Sequence, residues 1–205
     1  MEMDFMETFN EKTKNMKDVI CLKIEDLMDA YKNASDEQKE LLKHLFGTEV
    51  FKPKDVRERI KTFEDACHEL GKEHPLVTQY KQVSAAYKGD EDIEDLVAYL
   101  KLRIIAAALN EGWEPQFVPG EYRWAPYFLL YTQEEIDKMD EETKARVVYW
   151  SDGSANAGGG VSYASSGSDS AYVDAYFGSR LAFKSEELSR YAGTQFIDIF
   201  ADFML

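Results

Sequence analysis

Apolar residues recur at three- and four-residue intervals through the first half of the chain, then give way to short aromatic runs. Met16, Ile20, Ile24, Leu27, Met28 and Tyr31 form the apolar stripe of a helix over roughly 16–32. Ser35 followed by Gln38 is a capping box, so a second helix is expected to begin there and close at Gly47. Glu49, Val50 and Phe51 read as a short extended piece before Pro53. Val56, Ile60, Phe63, Cys67 and Leu70 share one face of a third helix, 54–70, ended by Gly71. Pro75 suits the first turn of a fourth helix carrying Leu76, Tyr80, Val83 and Tyr87, stopped by Gly89. Asp90 can cap a fifth, 91–111, ended by Gly112.

The fifth helix is apolar around most of its circumference. Ile93, Leu96, Val97, Leu100, Leu102, Ile104, Ile105, Ala106, Ala107, Ala108 and Leu109 leave only a narrow polar strip. Such a helix is surrounded by other elements, so it is expected at the centre of the domain.

Beyond Gly112 the pattern changes. Of the 27 aromatic residues, 18 lie from Trp113 onward, and Lys184 is the only lysine after Lys144. The run 123–131 is rich in strand formers, with Pro126 placing it at a sheet edge or strand start. Thr132 and Glu135 make another capping box for a short helix. Further strands are expected at 146–150, 161–164, 171–176 and 180–183, with Gly178 granting backbone freedom before the last. Ser185 caps a final amphipathic helix carrying Leu188, Tyr191, Ala192, Phe196, Ile199, Phe200 and Phe203. The expected fold is α+β: an N-terminal bundle of about five helices (1–112), then an aromatic-rich antiparallel sheet with a closing helix (113–205), packed as one unit.

The glycine- and serine-rich stretch 151–170 tempts a phosphate-loop reading, but it holds no lysine and no G-x-G-x-x-G. A calcium loop fails at Ala157 and Tyr163, where glycine and glutamate are wanted. A flexible connection between strands is expected.

Net charge is −15, and it is spread evenly: −5, −3, −3 and −4 over 1–50, 51–100, 101–150 and 151–205. An even acidic surface disfavours direct nucleic-acid binding. A DNA mimic would need its carboxylates in rows on one face. No apolar run reaches membrane-spanning length, and Met1-Glu2-Met3-Asp4-Phe5 is not the start of a secretory signal. Two cysteines, Cys21 and Cys67, fit a reducing cytoplasm. Cys67, His68 and His74 have no metal-ligand spacing, and Cys67 falls in register with the helix's apolar face, as a small core residue. No catalytic constellation, cofactor motif or metal motif stands out.

Several segments together carry a resemblance. They are Arg59–Cys67 (RIKTFEDAC), Lys101–Trp113 (KLRIIAAALNEGW), Trp124–Phe128 (WAPYF), Gly178–Ser185 (GSRLAFKS) and Tyr191–Phe203 (YAGTQFIDIFADF). Over roughly residues 45–205 the chain resembles a group of uncharacterised proteins encoded by phages, prophages and other mobile elements of gut Bacteroidales-type bacteria. The resemblance implies expression inside a bacterial host and a role in a phage or mobile-element life cycle. It brings no activity and no site residues.

The expected protein is therefore a non-catalytic phage or mobile-element accessory protein, cytoplasmic in its bacterial host. It would act by binding a host or phage protein, with oligomerisation open. The candidate interaction surface comprises Trp113, Arg123, Trp124, Tyr127, Tyr149, Trp150 and Arg180. Two alternatives stand beside it: an enzyme or small-molecule binder with a pocket at the helix/sheet junction, and an acidic DNA-mimic anti-defence protein.

Overall fold

A computed structural model describes residues 22–86, 93–116, 118–150, 159–169 and 178–204, with backbone alone at Tyr149, Trp150 and Asp169. The class is α+β, with helices before and after a small antiparallel sheet. The chain divides into two units, Met1–Lys52 and Pro53–Leu205.

In the first unit, α1 (Ile24–Lys32) and α2 (Asp36–Phe46) are followed by a 3-10 turn, Thr48–Phe51. The first part of the expected helix 16–32 lies outside the described residues. The capping box of α2 forms as expected. Ser35 Oγ accepts from the Gln38 N–H, and Gln38 Oε1 accepts from the Ser35 N–H. The expected extended piece at 49–51 is instead the 3-10 turn. Its tight winding brings Phe51 back onto Tyr31, ring centroids 4.3 Å apart, with Phe46 edge-on at 6.5 Å.

The second unit contains α3 (Val56–Arg59), α4 (Phe63–Leu70), α5 (Pro75–Ala86) and α6 (Glu94–Asn110). Then come β1 (Arg123–Thr132), α7 (Gln133–Asp137), α8 (Glu141–Lys144), β2 (Val148–Trp150) and β3 (Gly159–Asp169). A 3-10 turn at Ser179–Leu181 leads into α9 (Glu186–Gln195) and α10 (Ile197–Met204).

The single helix expected over 54–70 is broken. Thr62 caps α4, its hydroxyl accepting from the Asp65 N–H. The Asp65 carboxylate accepts from the N–H groups of both Lys61 and Thr62, so the backbone donors that would continue α3 are spent on a new cap. Ile60 is extended at the break and fully buried. The break also frees carbonyls at the end of α3, and α9 satisfies them. Tyr191 Oη lies 2.6 Å from Ile60 O and 3.1 Å from Arg57 O, and the Gln195 amide donates to Lys61 O at 2.9 Å.

Helix α6 holds the central position that its all-round apolar pattern requires. Leu100, Leu102, Ile104, Ile105, Ala106, Ala108 and Leu109 are buried, and α6 is in contact with α4, α5, α9, α10 and the 3-10 turn at Ser179–Leu181. Each fully buried Ile or Leu here contributes about 1.5–3 kcal/mol relative to exposure. Glu111 closes the helix in the left-handed region, at φ 50°. The expected Gly89 stop and Asp90 cap lie outside the described residues.

The sheet runs β1-β3-β2, all antiparallel. Its middle strand is the glycine- and serine-rich segment, so the expected flexible connection is corrected for 159–169; the rest of 151–170 lies outside the described residues. The physical reason is space. A Cβ at Gly159 would collide with the Tyr131 carbonyl, and one at Gly160 with the Val147 side chain. Small residues let the neighbours close in on both sides. Ala164 has no partner of its own opposite Tyr127 and Phe128, a bulge that shifts the register midway.

Two further expectations change. The strand at 180–183 is a 3-10 turn plus one bridged pair, Trp124 with Phe183. Here the Asn110 side chain takes the place of a strand partner, donating to Ala182 O at 2.8 Å and accepting from the Lys184 N–H at 3.0 Å. The final helix is two helices, separated at Phe196, which leaves helical geometry (φ −117°, ψ 29°) and is buried. Beyond this break, Phe200 packs on Phe128 of β1, centroids 4.9 Å apart. Ser185 caps α9 and Gly178 has φ 65°, both as expected. The strand expected at 171–176 lies outside the described residues.

Replacing Tyr191 by Phe keeps the packing and removes the hydroxyl from two partly buried carbonyls. The expected loss is about 1–2 kcal/mol of unfolding free energy, read as a lower urea midpoint at unchanged slope. An unchanged midpoint would show that water serves those carbonyls equally well.

Candidate interaction surface

The expected surface residues do not end up equivalent. Trp113 is half-buried just past α6, its backbone N–H donating to Asn110 O at 3.0 Å. Arg123 is buried, which removes it from any docking face. Its Nη1 donates to Gln116 O at 2.8 Å and lies 3.9 Å from Glu121 Oε2, which itself accepts from the Gln116 N–H. Arg123 thus closes the turn at 116–121. Trp124 is half-buried against the core, and its backbone exchanges two hydrogen bonds with Phe183. Tyr127 is exposed on β1, and Arg180 is exposed on the 3-10 turn, where no strand begins. The side chains of Tyr149 and Trp150 lie outside the described residues.

What the strand does expose is apolar. In β1, Tyr127 is 39% exposed, Leu129 49% and Leu130 58%, and Val118 and Tyr122 are exposed just before the strand. Among the described residues, five of the twelve exposed large apolar side chains thus fall between 118 and 130. From Trp124 to Thr132 the strand carries no charge, in a chain of net −15. Alternation sends Phe128 to the face covered by Phe200 and puts Tyr127 and Leu129 on the other. Leu129 and Leu130 are adjacent in the strand, so one face could not have taken both. That adjacency is the signal of an exposed apolar side chain in the sequence.

Tyr127 is held in place by a glycine. A Cβ at Gly167 would lie 2.5 Å from Cε2 of the ring, so the ring rests on bare backbone. On the opposite face, Gly193 of α9 is buried, and its Cβ would lie 2.7 Å from Pro126 Cβ and 2.8 Å from Tyr163 Cδ2. There Tyr163, Ser166 and the fully buried Ser189 satisfy one another: Tyr163 Oη is 3.0 Å from Ser166 Oγ, which donates to Ser189 Oγ at 2.9 Å. One face of β1 and β3 is therefore locked to α9; Tyr127 and Leu129 are exposed on the other face, and Leu130 is exposed past Phe128 along the locked one.

A cluster of charges elsewhere in this unit is structural. Arg59 Nη2 lies 2.9 Å from Glu69 Oε1 and 2.7 Å from Glu111 Oε1, and Nη1 donates to Pro53 O at 2.7 Å. Lys184 Nζ reaches Glu111 Oε2 at 2.9 Å. The cluster ties α3, α4, the end of α6 and the segment before α9 together. Hydrogen bonds from Arg59 and then Lys184 hold the Glu111 carboxyl below the ordinary glutamate value of 4.5. Cys67 is half-buried against the core, and burial pushes its thiol up. Among the described residues no three His, Cys, Asp or Glu side chains are grouped to hold a metal ion, and no helix is long and apolar enough to cross a membrane.

The chain matches no protein-family model, no curated protein and no solved structure.

Two outcomes follow from this geometry. A depressed carboxyl stabilises the fold above its unfolded pKa and loses that contribution as pH falls through its folded one. Stability at pH 7 should therefore exceed that of Glu111→Gln, with the two curves converging as pH drops below about 4.5. Parallel curves from pH 7 to 3 would contradict the ion cluster. Separately, Gly167→Val should push the Tyr127 ring off the strand, seen as loss of ring-current shifts on the 167 amide; shifts that persist would contradict the stacking.

Proposed function

We propose that this is a non-catalytic accessory protein that works by binding another protein through the apolar surface at 118–130. The observation that carries the reading is the concentration of exposed Val118, Tyr122, Tyr127, Leu129 and Leu130 on and before an uncharged strand. Exposed apolar patches bordered by polar surface mark protein interaction sites. Phe128, beside Leu129 in the same strand, is anchored to Phe200, so the patch is presented on a strand held to the fold. A surrounding net charge of −15 favours a partner whose rim is basic, and speeds its encounter. The resemblance to mobile-element proteins supports a partner from a bacterial host or its phage, met in the cytoplasm.

The test compares the native chain with Leu129→Glu and Leu130→Glu, after circular dichroism confirms that each variant folds. Capture from host cells, followed by titration of the recovered partner in purified form, should show at least about tenfold weaker binding by one or both variants. Equal affinity for all three proteins would overturn the assignment of the surface. Turnover of a small molecule by the purified chain, abolished by a single substitution, would overturn the non-catalytic reading.

A further inference from the structure

We draw no further inference here: the strongest candidate, the exposed apolar face that Leu41 and Leu45 form on α2 in the first unit, carries none, because nothing in the structure shows what covers it.

Discussion

The sheet exists only through β3. Strands β1 and β2 do not pair with each other; each pairs with β3, so the middle strand must accept a backbone on both sides and covering groups on both faces. Glycine at 159 and 160 admits the Tyr131 carbonyl and the Val147 side chain. Glycine at 167 admits the Tyr127 ring. Val161, fully buried, and Tyr163, which meets Phe128 edge-on, supply the bulk on the face toward α9 and α10. Small residues are normally a cost to a strand, in entropy and lost packing. Here that cost is offset by how closely everything else can approach.

Once the sheet is laid on α9 and α10, the second unit is closed by polar contacts that substitute for regular structure. Tyr191 takes up carbonyls where α3 stops short. Asn110 supplies both a donor and an acceptor to the segment at 182–184, which has a strand partner only at Phe183. Arg59, Glu69, Glu111 and Lys184 join the same regions by charge. Tyr191 and Asn110 each join elements far apart in sequence, and each leaves a buried or half-buried backbone group unsatisfied if it is lost. The central helix α6 provides the apolar mass, and these contacts fix what packs around it.

Much of this was legible in the sequence, for reasons that can be named. Helix α6 was readable because nine of its seventeen residues are buried and apolarity runs all round. The caps at Ser35, Thr132 and Ser185 were readable because capping is local chemistry. The break between α3 and α4 was not, because an apolar register that continues through Ile60 looks helical whether or not Thr62 opens a new cap. Of β3, the expected strand at 161–164 was readable from Val161 and Tyr163, but its extension over 159–169 was not, because glycine and serine are rare in strands and their fitness depends on neighbours far away in sequence. Of the candidate surface, Tyr127 was found for its aromatic ring, while Leu129 and Leu130 were missed and Arg123 was taken for a surface group although the turn at 116–121 buries it.

Whether β3 is an ordered central strand is best measured by native-state hydrogen exchange at single-residue resolution. Where β3 is paired on both sides, at Gly159 to Val161, the amides should be protected to nearly the free energy of global unfolding, on a par with Ile104 and Ile105 of α6. Exchange at those amides at the rate of an open glycine- and serine-rich loop would contradict the account.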